Sequence, residues 1–213
     1  MKTFFRKTLL VVILSVMPSV IWAIRVNGIS YAIVGNTAEV SYAGDGHYRG
    51  NVIIPEEIEY DSKTYKVTSI GDKAFYKCTG LTAISIPNSV TRIGTDAFYH
   101  CAGLTEITFP SSLEYIGNYA FSLCTGLTSI TIPNSVTYIG NRAFASCSGV
   151  KTLEFNAENC NTCGGHNKNN YSVIDYAFPT SISTVKIGNN VTTIPDYFLY
   201  NNRSITNVDI KLY

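Results

Sequence analysis

The feature that most constrains this chain is a repeat of 23 residues. Ile70-Gly71-Asp72-Lys73-Ala74-Phe75 returns as Ile93-Gly94-Thr95-Asp96-Ala97-Phe98, then as Ile116-Gly117-Asn118-Tyr119-Ala120-Phe121, then as Ile139-Gly140-Asn141-Arg142-Ala143-Phe144. Cys78, Cys101, Cys124 and Cys147 keep the same step, as do Leu81, Leu104, Leu127 and Val150. Ile84, Ile107, Ile130 and Leu153 follow in phase, and so do Ile86, Phe109, Ile132 and Phe155. Within one unit, Ile84-Ser85-Ile86 has the alternation of a strand. Val90 to Ile93 is β-branched and predicts a second short strand. Ala74, Phe75 and Cys78 lie at one-turn spacing, which predicts a short helical turn. A unit this short cannot bury its own apolar side. Stacked copies bury theirs together, each touching only its neighbours.

The unit Leu-x-x-Ile-x-Ile-Pro-x-x-Val-x-x-Ile-Gly-x-x-Ala-Phe-x-x-Cys-x-x resembles the BspA type of leucine-rich repeat, in which Ile and Phe take many of the Leu places. The resemblance covers about Val52 to Ile210. It implies an α/β-type repeat solenoid: a leucine-rich repeat stack with a parallel β-sheet face, second short strands and short helical turns. It also implies an exported protein, secreted or held at the cell surface of a bacterium, and a role in adhesion to host matrix proteins or neighbouring cells.

The array is regular over 70–155 and degrades at both ends. An insert is expected at 156–173 and degenerate units at 174–213, which makes 51–213 the solenoid. Ile182, Val185 and Ile187 there keep the spacing of Leu81, Ile84 and Ile86, and Val208 and Ile210 suggest a final strand. Segment 24–50 alternates over Ile29 to Val34 and over Glu39 to Tyr42 with Gly35-Asn36 between them, which reads as a β-hairpin cap. A hairpin there would cover the open edge of the first rung. The other end offers no comparable cap, which leaves three readings open: a short member of the family, a fragment of a longer array, or association with a partner through that edge.

Residues 1–23 open with Lys2, Arg6 and Lys7, continue with an apolar stretch and end in Ile21-Trp22-Ala23. This is the pattern of a secretory signal peptide; the stretch is shorter than the roughly 20 apolar residues of a membrane span and is broken by Pro18, with an uncleaved anchor as the alternative. The chain of 213 residues carries a formal charge of +1 from 16 basic and 15 acidic residues. Removing the segment takes three basic residues and leaves a charge of −2. Without a basic surplus to neutralise phosphates, a nucleic-acid partner is not expected. No membrane span is expected after processing.

Six cysteines are present. Cys78, Cys101, Cys124 and Cys147 would stand about one strand spacing apart, roughly 4.8 Å, with parallel side chains. Together with Phe75, Phe98, Phe121 and Phe144 they are expected to form a structural ladder in the interior, because Cys is among the most buried residues. Cys160 and Cys163 form a separate C-x-x-C in the expected insert, followed by Gly164-Gly165-His166. A local disulfide, free thiols or a metal site are open there, with the disulfide placed first for an exported chain.

No nucleophile–base set, zinc signature, phosphate loop or dinucleotide fingerprint occurs. The sequence therefore predicts no enzyme, no catalytic residue, no metal and no cofactor. The outward strand positions make the candidate binding face. One row runs Ala83, Glu106, Ser129 and Thr152. A second runs Ser85, Thr108, Thr131 and Glu154, continued by Lys186 and Asp209. A further outward row runs Arg92, Tyr115, Tyr138 and Thr193. The expected function is non-catalytic protein–protein interaction with a protein ligand. Binding of a glycan through Tyr115 and Tyr138, or scaffolding of a larger assembly, stand as alternatives.

Overall fold

The computed structural model describes residues 23–167, 170–196 and 198–210. Within them the chain winds as a three-sided solenoid. It opens with three antiparallel strands, β1 (Ala23–Val26), β2 (Ile29–Val34) and β3 (Thr37–Val40). The β1–β2 turn is Asn27-Gly28, both with positive φ. This is the pair that a tight hairpin turn favours, because its twist matches that of the strands.

Two strands follow in different sheets, β4 (Gly50–Ile53) and β5 (Glu57–Tyr60). Strand β6 (Lys63–Ile70) pairs antiparallel with β5 and parallel with β3. From β6 one sheet climbs the stack through β8 (Arg92–Ile93), β9 (Tyr115–Ile116) and β11 (Tyr138–Ile139), all parallel. In this register Ile70, Ile93, Ile116 and Ile139 form one fully buried column.

The second side carries β7 (Leu81–Ser85), parallel to β4. It also carries β10 (Ser129–Ile132), β12 (Thr152–Phe155), β15 (Thr184–Ile187) and β16 (Asn207–Ile210), parallel in that order. Ile130, Leu153 and Val185 register with one another and face inward. The side is not one unbroken sheet. Residues 104–109 form no strand, so β7 and β10 are not joined. There Phe109 sets its ring edge-on to Phe121, with centroids 5.4 Å apart, and a cleft of about 470 Å³ opens beside Ile86, Asn88 and Thr108.

The third side differs from the sequence expectation. The segments after each Ile-Gly are turns, and the described residues contain no helix. The hydrogen bonds supply the reason. In the first regular copy the amides of Ala74, Tyr76 and Cys78 donate three residues back within their own rung. The amides between them, at Lys73, Phe75 and Lys77, donate to the carbonyls of Thr95, Ala97 and Tyr99 in the next rung. An α-helix would spend all these amides on its own axis. Alternating them instead welds each rung to the next. It also requires left-handed backbone at Lys73 and Lys77, and again at Asp96, His100, Tyr119, Leu123, Arg142 and Ser146.

The segment 156–173, expected as an insert, divides in two. Strand β13 (Thr162–Asn167) pairs parallel with β11, with Thr162 beside Tyr138 and Cys163 beside Ile139. Cys163 therefore extends the isoleucine column. Cys160 stands three residues earlier, as Val136 does before Ile139. Residues 156–164 thus belong to a rung, with one extra residue between Phe155 and Cys160. The true interruption is a hairpin in which β14 (Asn170–Tyr176) pairs antiparallel with β13. Without residues 165–174 the chain would read Gly164-Asp175-Tyr176-Ala177-Phe178, which is the repeat's own Gly-x-x-Ala-Phe.

The core is a set of columns along the solenoid axis. Rings of Phe75 and Phe98 stack at 4.8 Å, Phe98 and Phe121 at 4.9 Å, and Phe121 and Phe144 at 5.1 Å, all within 7° of parallel. Phe178 continues the column at 5.6 Å, and Phe198 closes it edge-on. At the other end Tyr48 tilts onto Phe75 at 4.8 Å.

Candidate binding faces

Each repeat thiol has a defined acceptor. Cys101 donates to the carbonyl of Phe75 at 3.1 Å, Cys124 to that of Phe98 at 3.1 Å, and Cys147 to that of Phe121 at 3.0 Å. The first of the series, Cys78, donates to the carbonyl of Tyr76 at 3.8 Å and accepts the Tyr48 amide at 3.4 Å. Burial pushes the Cys78 thiol up to about 11. A thiolate is the reactive form, and burial also holds the Cys124 thiol well above its ordinary value, so Cys78 and Cys124 are structural rather than chemical. Tyr48 ends both the thiol and the ring columns, and its hydroxyl accepts the Ser30 amide at 3.0 Å. Nothing in the repeat points to it, since it lies upstream of the first regular unit.

The outward residues singled out from the sequence lie on two different sides. Arg92, Tyr115 and Tyr138 belong to the short-strand sheet. Ser129, Thr131, Thr152 and Glu154 belong to the sheet of β10 and β12. Glu106 and Thr108 are exposed in the strandless rung between β7 and β10, outside both ladders. Thr193 is not the direct neighbour of Tyr138 in this row. The register places Thr162 beside Tyr138, because Cys160–Gly164 supplies that rung's second strand.

The tyrosine row is a stack closed on itself. The Tyr115 and Tyr138 rings lie 4.6 Å apart and 3° from parallel. The Arg92 guanidinium sits 4.0 Å from the other face of Tyr115, a cation–π contact. Burial and the adjacent Tyr115 hydroxyl hold the Tyr138 hydroxyl above its ordinary value. Both faces of Tyr115 are thus occupied, and Tyr138 is flanked by Tyr115 on one rung and by Thr162 on the next. A second tyrosine pair lies on the turn side, where Tyr76 stacks on Tyr99 at 5.1 Å and Lys77 sits 4.9 Å from the Tyr76 ring.

The other sheet carries the more open surface. Thr131, Glu154, Lys186 and Asp209 stand side by side on β10, β12, β15 and β16. They form the floor of a groove of about 590 Å³. Its wall comes from the loops that follow the strands, at Asn134, Asn156, Glu158 and Asn190. Asn156 donates to Glu154 at 3.3 Å, and Asn190 donates to Glu158 at 3.0 Å, which ties the loop after β15 to the loop after β12. Lys186 lies between two carboxylates in register, an alternation that favours the sheet as built. The groove presents hydroxyl, amide, carboxylate and ammonium groups together. It holds no histidine or cysteine, and no cluster of three or more metal-ligating side chains occurs among the described residues. No helix among them is long and apolar enough to cross a membrane.

Rungs of one short period, a parallel sheet and a shared interior of Leu, Ile and Phe columns define a leucine-rich repeat protein. The BspA type leucine rich repeat region matches residues 56–167 and 166–212 in 6 copies, and the chain belongs to that family. Among solved structures, the leucine-rich repeat protein TpLRR of T. pallidum is similar at 22% identity and a TM-score of 0.68, covering 90% of this chain and 83% of that one. A leucine-rich repeat protein of Bacteroides capillosus is similar at 24% identity and a TM-score of 0.50, covering 78% of this chain and 98% of that one. These likenesses share the fold. A comparison with curated proteins found no match.

Proposed function

We infer that this chain is a non-catalytic interaction module, exported to the cell surface or released, that binds a protein ligand across the sheet of β10, β12, β15 and β16. The groove on that sheet carries the reading. Strand pairing holds Thr131, Glu154, Lys186 and Asp209 in one row, so the four meet a partner on a backbone that needs no further ordering. A solenoid binds over its whole face, and host matrix proteins are the partners that the family resemblance suggests. The signal-like segment 1–23 supports export. It lies outside the described residues except for Ala23, the first residue of β1.

The test compares two charge changes on the exported chain against a panel of immobilised matrix proteins. Glu154→Lys combined with Asp209→Lys weakens binding at least tenfold, while Arg92→Glu leaves it unchanged. No binding to any matrix protein, or a loss that follows Arg92→Glu alone, overturns this reading. A scaffolding role has its own observation. Val208 and Ile210 on β16 are 54% and 55% exposed, against 2% and 7% for their partners Val185 and Ile187. Sedimentation tests it, since edge pairing predicts association that rises with concentration.

A further inference from the structure

The four repeat sulfurs are turned toward carbonyls, but the remaining two are turned toward each other. Cys160 and Cys163 sulfurs stand 3.5 Å apart, and the residues are 3% and 1% exposed. They occupy the places that Val90 and Ile93, Leu113 and Ile116, and Val136 and Ile139 fill with hydrocarbon in the rungs below. The rung that bears them also bears the hairpin of β13 and β14, which leaves directly after Cys163. We propose that Cys160 and Cys163 are a site of reversible covalent closure, where an oxidised partner thiol system converts the pair to a disulfide that staples the base of this hairpin to its rung.

The chemistry balances with a disulfide oxidant, either oxidised glutathione or a thiol–disulfide oxidoreductase. The Cys160 thiolate attacks one oxidant sulfur, breaks the oxidant's S–S bond and expels a thiolate, leaving a mixed disulfide. The Cys163 sulfur then attacks Cys160, expels the second thiolate and closes the ring. Two electrons pass to the oxidant, and the two protons of Cys160 and Cys163 end on its thiols. The roles follow from the contact between them. The contact between the two sulfurs holds Cys160 below the usual thiol range, while the same contact and burial push Cys163 up. The nucleophile is therefore Cys160. Burial of both sulfurs means that exchange proceeds through local opening of this rung.

The inference does not depend on where the chain works, and its test uses the purified chain. The protein is equilibrated with oxidised glutathione, quenched in acid, denatured and alkylated, and its peptides are mapped. The expected product has four alkylated cysteines, Cys78, Cys101, Cys124 and Cys147, and one peptide that holds Cys160 joined to Cys163. Its melting temperature lies about 4 °C above that of the dithiothreitol-treated chain, the order of shift a short disulfide loop gives. The double variant Cys160→Val with Cys163→Ile restores the repeat's own residues, folds, and melts at one temperature with or without oxidant. Six alkylated cysteines, a stable glutathione adduct, or a bond within the repeat four overturns the proposal. So does a Cys160–Cys163 disulfide that leaves the melting temperature where it was.

Discussion

At the scale of single residues, the smallest side chains carry the tightest constraints. A Cβ on Gly117 would stand 2.6 to 2.7 Å from the backbone of Gly94 and Thr95 in the rung below. Those atoms cannot yield, because they belong to the same hydrogen-bonded stack. Gly126 meets the carbonyls of Ala102 and Leu104 in the same way, at 2.6 and 2.8 Å. Gly117→Ala is therefore expected to cost about 3 kcal/mol, the upper range of overpacking, read as a lowered urea midpoint. Ser146 poses the opposite case. It is exposed and left-handed, with φ 59°, a conformation costly for a residue with a Cβ. Ser146→Gly is expected to raise stability by about 0.5 kcal/mol, the strain relieved less the entropy glycine adds to the unfolded chain. Opposite signs at the two sites in denaturant melts would distinguish close approach from backbone strain. A neutral Gly117→Ala would count against the stated rung spacing.

At the scale of elements, the strands were legible and the turns were not. Ile-x-Ile alternation marks burial on one side of an extended chain, and the columns it implies pair except at the Ile107 and Phe109 rung, where residues 104–109 form no strand. The spacing of Ala74, Phe75 and Cys78 fits a helical turn equally well, and only the hydrogen-bond partners decide the matter. Residues such as Lys73 and Lys77 give no sign of left-handed backbone, because they are not the glycine or asparagine that usually signals it. The C-x-x-C misled for a different reason. Cysteine can fill the core places of Val and Ile, so Cys160 and Cys163 look foreign to the repeat while occupying it. The Asn27-Gly28 turn was available as a hairpin signal and adds a strand to the cap. These corrections make a prediction about the hairpin. A chain lacking residues 165–174 regains Gly-x-x-Ala-Phe and should fold with a change in stability within about 1 kcal/mol, since shortening a surface connection costs little. Calorimetry of that deletion checks it, and loss of cooperative melting would show that the hairpin is part of the core.

At the scale of the whole molecule, one period gives three sides with different bonding. The first side is held by short parallel strands and presents the Arg92, Tyr115 and Tyr138 stack. The second presents the polar groove, and the third joins rungs through alternate turn amides. Sequence alone merged the outward rows into one binding face, because a repeat reports which residues align along the axis but not the angle between its strands. The interior carries no such ambiguity, as every side contributes to the same columns. The central claim is that residues one period apart are neighbours in space. The most direct measurement is the pattern of nuclear Overhauser contacts among ring protons in a phenylalanine-labelled chain. The account predicts contacts in strict order, Phe75 with Phe98, Phe98 with Phe121 and Phe121 with Phe144, and none between Phe75 and Phe144. Contacts that skip a rung, or an absence of contacts between consecutive members, would contradict it.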